Sequence, residues 1–335
     1  MNSVVIESPA RWRQLDKLPI GLFGSVMGLT GLSIAWRLAH AHFGAPASIA
    51  DGIGVVAIAA FVAISLGYAV KLATAPDAVR DEFHHPIAGS LFGTLLISIL
   101  LLPIIIAPVN VFLARVLWAI GAITMNAFGW LMISRWMSDR QQAAHATPTW
   151  IVPLVGLLDV PLAVPSLGLP TDIYASVHQL MVLDLAVGLF FAIPLFTMIF
   201  SRLLFEAPLP DALQATLLIL VVPFSVGFST YTVTTGATDI FAQALYLLSL
   251  FVLAVLLGRL WHLGRCCPFK FAWWSVSFPL ASVSIAALHY AEAIPGAIAD
   301  ALALSLLALA TVVIAGLLVR TLMGLLRGEL RTLSA

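Results

Sequence analysis

Ten long apolar runs, each bounded by polar or turn residues, follow one another along the 335-residue chain. They cover about 19–38, 49–72, 88–107, 111–136, 150–167, 175–200, 212–232, 238–263, 271–291 and 296–326. Each run is long enough to cross the ~30 Å hydrocarbon core of a bilayer as a helix, the fifth only barely. None alternates apolar with polar residues as a membrane β-strand does. The pattern predicts an all-α integral membrane protein, with residues 1–335 forming a single transmembrane domain.

The composition limits the classes of protein to which the chain can belong. Of its residues 61% are hydrophobic and 10% are charged, and the mean hydropathy is +1.06. A soluble domain carries about 25% charged residues, far more than this chain. Ten spans of about 20 residues or more take up most of the chain, so almost no length remains for a soluble catalytic domain. The sequence contains no GK[ST] phosphate loop, HExxH pair or GxSxG elbow. We therefore expect a protein that is not an enzyme, with no cofactor, no metal centre and no nucleic-acid partner.

The positive charges predict the orientation in the membrane. If the N-terminus is inside the cell, only Arg37 and Arg115 fall outside, and fourteen Lys and Arg residues fall in cytoplasmic segments. The fourteen are Arg11, Arg13, Lys17, Lys71, Arg80, Arg135, Arg140, Arg202, Arg259, Arg265, Lys270, Arg320, Arg327 and Arg331. This split follows the positive-inside rule and, with ten spans, puts both termini in the cytoplasm. The adjacent Cys266 and Cys267 then lie in a cytoplasmic connection, where we expect reduced thiols.

Proline placement distinguishes the odd-numbered runs, which begin about every 60 residues and so predict five helical hairpins. Interior prolines of the odd runs are Pro103, Pro153, Pro161, Pro165, Pro223 and Pro279, whereas the even runs have only Pro194. A proline frees the carbonyl four residues earlier, here among others those of Ile99, Leu157, Ile219 and Ser275. Irregular backbone at membrane depth is tolerated where it is buried or lines a wet cavity. We therefore expect the odd helices to form an inner, pore-lining ring, although any single proline could equally be a packing kink.

The first run has glycines instead of an interior proline. Gly21, Gly24, Gly28 and Gly31 fall on one narrow helical face. Gly24 and Gly28 satisfy the GxxxG pattern of close helix packing. Alternatively, the glycines leave room in a narrow passage, and the two interpretations are compatible at different depths.

Two carboxyl groups lie within predicted spans. An intramembrane acid is a candidate for proton relay or cation coordination, but it can also be a protonated or hydrogen-bonded structural residue. For Asp159, in the fifth run, the two interpretations stand about equal, and this residue is a candidate proton or charge site. For Asp184, in a presumed outer helix, the structural interpretation is favoured.

Lys and Arg lie only near span ends, except Arg115. A site that binds a dicarboxylate tightly would usually offer a cationic clamp. Runs seven and nine offer hydroxyl groups instead: Ser225, Ser229, Thr230, Ser275, Ser277, Ser282 and Ser284. Hydroxyls and backbone dipoles solvate an anion weakly, which favours permeation over tight binding.

Four segments resemble the tellurite-resistance/dicarboxylate transporter family. They are PIGLFGSVMGLTGLSIAWR (19–37), EFHHPIAGSLF (82–92), VPFSVGFSTY (222–231) and above all FAWWSVSFPLAS (271–282). That family includes bacterial TehA proteins, plant slow-type anion channels and fungal malic acid permeases. The similarity covers essentially the whole chain and is strongest in the first and ninth runs.

The resemblance implies a homotrimer with a pore in each protomer, in which five hairpins have quasi-fivefold symmetry. It also implies a phenylalanine that plugs the pore midway. The matching residue is Phe278, and the glycine against which the ring lies in the family matches Gly24. The candidate pore-lining residues are Gly28, Ser275, Ser282, Pro279, Pro223, Pro103 and Pro161. Asp159 has no counterpart in the family pattern, so the resemblance does not imply the charge or the selectivity of the pore at this residue.

Two functional classes follow, both placed in a bacterial inner membrane. The first is a passive channel for small monovalent anions such as chloride and nitrate. The second is a proton-coupled transporter of C4 dicarboxylates such as malate, or an exporter of tellurite or sulfite. The lack of an interior cationic clamp favours the channel, whereas a proton site at Asp159 favours the transporter.

Overall fold

A computed structural model of the chain describes residues 16–260 and 268–334. This part of the chain is helical and contains no strand. Ten helical segments are long and apolar enough to cross a membrane, which confirms the predicted number and placement. They are span 1, Ile20–Phe43; span 2, Ala47–Thr74; span 3, Ala88–Ile106; span 4, Val111–Ser138; span 5, Pro148–Leu167; span 6, Thr171–Phe205; span 7, Asp211–Thr235; span 8, Ile240–Gly258; span 9, Phe271–Ala293; and span 10, Ala297–Leu326. Two short helices accompany them, Pro76–His84 and Leu330–Ser334.

Burial separates the odd from the even spans. In the most apolar stretch of each odd span 61–83% of residues are buried, against 11–39% in the even spans. The large exposed side chains of the even spans are apolar, for example Val55, Ile123, Phe190 and Val312. Such a surface suits lipid rather than water. The expected division into inner odd helices and outer even helices is therefore confirmed.

The odd spans form a closed ring in chain order. Span 1 contacts span 3, span 3 contacts span 5, span 5 contacts span 7, span 7 contacts span 9, and span 9 returns to span 1. Each even span packs against the odd span before it and also touches the next odd span. The chain thus consists of five hairpins around one axis, while their quasi-fivefold symmetry stays a prediction.

Each odd span has a stretch of tighter 3₁₀ helix at or near its start, which in span 7 follows the α-helical turn Asp211–Gln214, whereas each even span is one continuous α-helix. The 3₁₀ stretches are Ile20–Leu22, Ala88–Leu91, Pro148–Ile151, Ala215–Val221 and Phe271–Val276. Prolines mark where the α-helix takes over: Pro223 and Pro279 lie in the first turns of Val222–Thr235 and Ser277–Ala293. A proline there has no intrahelical bond to lose.

This geometry corrects one prediction about the proline breaks. The carbonyls of Leu157 and Ile219, expected to be free, accept hydrogen bonds from the backbone amides of Val160 and Val222. A 3₁₀ turn pairs residue i with i+3, so the amide that precedes the proline ring takes the place of the missing donor. The odd spans are irregular, but at these two positions their backbone is satisfied.

A buried ion pair fastens the start of span 1. Glu82, in the helix Pro76–His84, accepts from the Lys71 ammonium at 2.6 Å, the Tyr68 hydroxyl at 3.0 Å and the Ile20 amide at 2.8 Å. Lys71 also donates to the Leu18 carbonyl at 2.8 Å. One carboxylate therefore connects span 2, the short helix and the first residues of the ring.

Candidate functional site

Three cavities follow one another along the axis of the odd-span ring. The mouth cavity lies at the end where the odd spans begin and includes Gly21, Leu91, Thr149, Thr216 and Lys270. Leu333 and Ser334, near the end of the chain, line the same cavity. The beginning and the end of the described chain therefore lie on one side of the bundle, as an even number of spans requires.

The middle cavity is the next along the axis and has walls from all five odd spans. It shares Gly21, Leu91 and Ser275 with the mouth cavity. Its other lining residues are Gly24, Met27, Thr94, Ile97, Ile151, Val152, Val155, Gly156, Asp159, Ile219, Val222, Trp274, Phe278 and Pro279. The space between these walls is large enough to admit water molecules.

The far cavity, toward the other end of the odd spans, also has walls from all five. They are Ile34, Leu38, Leu101, Ile104, Leu162, Pro165, Ser166, Val226, Ser229, Val233, Phe278, Ser282, Ile285 and His289. Phe278 is the one residue that lines both the middle and the far cavity. Its ring therefore stands at the boundary between them, and the side chain is buried, with 5% of its surface exposed.

The contact between Phe278 and span 1 includes Gly31. The ring lies 3.7 Å from a Cβ placed on Gly31, whereas no atom of Phe278 lies within 4 Å of a Cβ placed on Gly24. Gly24 and Phe278 line the same cavity, and the expectation that the ring lies against Gly24 stays a prediction. Two helical turns separate these glycines along span 1, and the register of span 9 against span 1 decides which of them meets the ring.

The glycine face of span 1 has two roles at different depths. Gly21 and Gly24 line the middle cavity. A Cβ on Gly28 would lie 2.1 Å from Ser277 Oγ, and one on Gly31 would lie 2.9 Å from the Ala281 Cβ. Gly28 is thus a close-packing position between spans 1 and 9 rather than a cavity residue.

The structure brings only some of the predicted pore-lining residues to the cavities. Ser275 and Pro279 line the middle cavity, and Ser282 lines the far one. Pro103, Pro161 and Pro223 are buried but absent from both walls. Their neighbours Ile104, Leu162 and Val222 line the cavities instead. Adjacent helical positions point about 100° apart, so the prolines shape the backbone without facing the axis.

Among the described residues, no Lys or Arg lines the middle or the far cavity. The nearest cation is Lys270 in the mouth cavity. The hydroxyls that were expected to face an anion bond within the protein: Ser275 donates to the Ala272 carbonyl at 2.7 Å, and Ser282 donates to the Pro279 carbonyl at 2.9 Å. Ser282 also lies 2.8 Å from the hydroxyl of Ser225, which links spans 7 and 9.

The two intramembrane acids have different surroundings. Asp159 is fully buried and lines the middle cavity, and neither of its carboxyl oxygens has a hydrogen-bond partner within the described chain. Asp184 is equally buried and its carboxyl oxygens also lack a hydrogen-bond partner within the described chain, but it lies outside the two cavities. The structure therefore places one acid on the axis of the ring and the other between its helices.

Sequence reasoning missed the contribution of span 3 and of the chain end. Thr94 and Ile97 form the middle cavity and Leu101 the far one, and Leu333 closes part of the mouth. The spacing 94, 97, 101 is one helical face, which was a usable signal. Leu333 lines the mouth cavity together with residues that are distant in sequence, and no local sequence pattern predicts that position. Cys266 and Cys267 lie outside the described residues.

Comparison with known proteins gives a family. The profile of the SLAC1 family, described as voltage-dependent anion channel, matches residues 17–322. The S-type anion channel SLAH3 of Arabidopsis thaliana is 27% identical over 331 residues, which are 96% of this chain and 50% of that protein. The tellurite resistance protein TehA homolog of Haemophilus influenzae is 29% identical over 278 residues, which are 82% of this chain and 81% of that protein.

The plant relatives are longer than this chain. The guard cell S-type anion channel SLAC1 of Arabidopsis thaliana is 25% identical over 339 residues, covering 96% of this chain and 58% of that protein. The chain thus spans about half to three-fifths of the length of these two plant channels.

Proposed function

Because the chain belongs to the family of voltage-dependent anion channels, we propose that it is a passive channel for small monovalent anions such as chloride and nitrate. The observation that carries this proposal is the row of three cavities inside one closed ring of odd spans. A channel needs binding weak enough for release. Walls without Lys or Arg in the middle and far cavities meet that requirement.

The proposal includes a gate at Phe278. A bulky apolar ring at a constriction stops ions by leaving no continuous water path. Phe278 joins the walls of two cavities and is buried at their boundary. Pro279 follows the ring directly, close to the point where the backbone of span 9 changes from 3₁₀ helix to α-helix.

A second candidate function is proton-coupled transport of malate-like dicarboxylates, or export of tellurite or sulfite. One observation favours it: the carboxyl of Asp159 lies on the axis with no partner, as a proton-carrying site would. The absence of a cationic clamp in the middle and far cavities of the described chain argues against tight binding of a dicarboxylate.

We also propose that the protein forms a homotrimer in a bacterial inner membrane, with both termini in the cytoplasm and one pore in each protomer. The closed ring within a single chain supports a separate pore for each copy. The exposed apolar faces of the even spans leave surface for lipid and for neighbouring copies.

Electrical recording in planar bilayers separates the two functions. The purified protein is tested with gradients of chloride, nitrate and malate. A channel gives ohmic single-channel steps whose reversal potential follows the chloride or nitrate gradient. Saturable, pH-driven malate flux without unitary steps would contradict the channel proposal and support the transporter.

A further inference from the structure

Asp159 is the exceptional group of the middle cavity, since it is the one ionisable side chain among the described residues of that wall. It sits at the end of the 3₁₀ turn Gly156–Asp159. The carbonyls on either side of it accept hydrogen bonds from neighbouring spans, that of Leu158 from the Thr230 hydroxyl of span 7 and that of Val160 from the Trp118 indole N–H of span 4. These two bonds fix the backbone around Asp159 while its side chain stays on the cavity wall.

The other polar side chains of this wall have their donors engaged. The Thr94 hydroxyl donates to the Leu91 carbonyl at 2.6 Å, and the Ser275 hydroxyl donates to the Ala272 carbonyl at 2.7 Å. The Trp274 indole donates to Thr321 at 2.9 Å. An anion in this cavity therefore finds no free side-chain donor unless the Asp159 carboxyl carries a proton.

The groups on the elements packed against Asp159 do not supply a compensating charge. Span 3 has no ionisable residue. Within span 6 the buried acid is Asp184, which lies beside Asn126. The remaining ionisable groups of spans 4, 6 and 7 lie toward their ends and are Arg115, Arg135, Asp172, Tyr174, His178, Arg202, Asp211 and Tyr231. An ionised Asp159 would be an unpaired buried charge and would also repel an anion, whereas the protonated carboxyl is neutral and can donate.

We propose that protonated Asp159 is the anion-binding donor of the middle cavity, so that, in solutions alkaline enough to ionise the empty site, one proton is taken up with each monovalent anion bound there. The balance is simple: a carboxylate, a proton and an anion give a carboxyl group whose O–H donates to the anion. The effect is reciprocal, because anion binding raises the affinity of Asp159 for the proton by the same factor as protonation raises the affinity for the anion. This inference rests on the proposed function and names the ligand chemistry of the same pathway.

The first test measures protons rather than current. Sodium nitrate is added to the detergent-purified, full-length protein in weakly buffered solution, and the pH change and binding heat are recorded. The measurement is repeated over a range of pH. We expect no uptake in acid, where the empty site is already protonated, and about one proton per nitrate bound on the alkaline side, where the affinity falls about tenfold per pH unit. Nitrate binding of the same affinity and without proton uptake across the whole range, or no binding at any pH, would overturn the proposal.

The second test compares matched variants. Asp159→Asn keeps an N–H donor but cannot titrate, so nitrate binding should persist and lose its pH dependence. Asp184→Asn removes an equally buried acid that lies off the axis, and it should keep the proton uptake of the parent. An Asp159→Asn protein with unchanged pH dependence, or loss of proton uptake in Asp184→Asn, would refute the assignment.

The third test separates this inference from the proposed function. In a Phe278→Ala background, where current is expected, acidification should raise nitrate conductance, and Asp159→Asn should abolish that rise. If the background variant conducts no anion but proton-coupled nitrate binding is present, the channel proposal fails while the donor site stands. If it conducts equally at all pH values, the channel stands and the donor site fails.

Discussion

Gly24 and Gly28 are one turn apart on span 1 yet have different surroundings. A Cβ on Gly24 would have an ordinary contact of 3.8 Å with the Trp274 carbonyl, whereas one on Gly28 would meet Ser277 at 2.1 Å. Gly28→Ala should therefore push spans 1 and 9 apart and cost about 1–3 kcal/mol of stability, as overpacking of a core does. Gly24→Ala should cost much less.

Thermal unfolding in detergent, followed by tryptophan fluorescence, measures both variants. Gly316→Ala is a suitable control, because a Cβ at that position in span 10 has no neighbour within 4 Å. Equal melting temperatures for Gly28→Ala and Gly316→Ala would contradict the close approach of the two spans.

The buried pair of Lys71 and Glu82 ties three elements together at the mouth of the ring. Their side chains are 5% and 14% exposed, so removing one partner leaves a desolvated charge. Lys71→Met should cost roughly 3–5 kcal/mol. The double variant Lys71→Met with Glu82→Leu should recover part of that loss, because neither charge is then left alone.

Urea or heat unfolding of the single and double variants in the same detergent measures this coupling. If the two residues act independently, the stability losses of Lys71→Met and Glu82→Leu simply add in the double variant. A double variant with that summed loss would show that the pair does not act as a unit. Residual nitrate binding serves as a check that each variant is folded.

The division of the ring into odd and even spans could be predicted from the sequence, because hydropathy gives span lengths and prolines mark irregular helices. Pro223 and Pro279 correctly indicated that spans 7 and 9 are irregular. The 3₁₀ stretches beside these prolines could not be predicted from the sequence. Local geometry at a proline depends on which amide replaces the missing donor, as Val222 does for Ile219.

The facing partners of the ring could not be predicted in the same way. Hydrophobic periodicity gives the buried face of each helix but not the sliding of one helix along another. That sliding decides that Phe278 lies beside Gly31. By contrast, Asp159 lines the middle cavity and Asp184 does not, which follows the expected division into inner odd and outer even spans. The family resemblance supplied the phenylalanine, and the three-dimensional packing supplied its neighbours.

The orientation of the whole molecule gives a labelling prediction. The fourteen-to-two distribution of Lys and Arg predicts that the connection between spans 8 and 9 lies in the cytoplasm. Cys266 and Cys267, the two cysteines of the chain, should react with a membrane-impermeant maleimide in inverted vesicles and not in intact cells. Labelling in intact cells would reverse the orientation.

The polarity of the whole pathway predicts its selectivity. With no Lys or Arg on the middle and far cavity walls of the described chain, little replaces the water that an anion sheds. Anions that lose water easily should permeate best, so nitrate should exceed chloride. Reversal potentials under bi-ionic conditions give this ratio. A permeability order that rises with charge density would reveal a strong site that the walls do not show.

The proposed gate at Phe278 is the central claim about the whole molecule, and removal of the ring tests it. Phe278→Ala should join the middle and far cavities and open a continuous water path. Phe228→Ala is the matched control, because Phe228 is buried against Tyr246 and Tyr290 and lines neither cavity. The control should lose stability without gaining current.

The most direct measurement is the single-channel conductance of the parent, Phe278→Ala and Phe228→Ala proteins in planar bilayers with symmetrical potassium chloride. The account predicts a many-fold higher chloride conductance for Phe278→Ala alone, from protein that elutes as the parent does on gel filtration. A folded Phe278→Ala protein that conducts no better than the parent would contradict it and leave Phe278 as a packing residue.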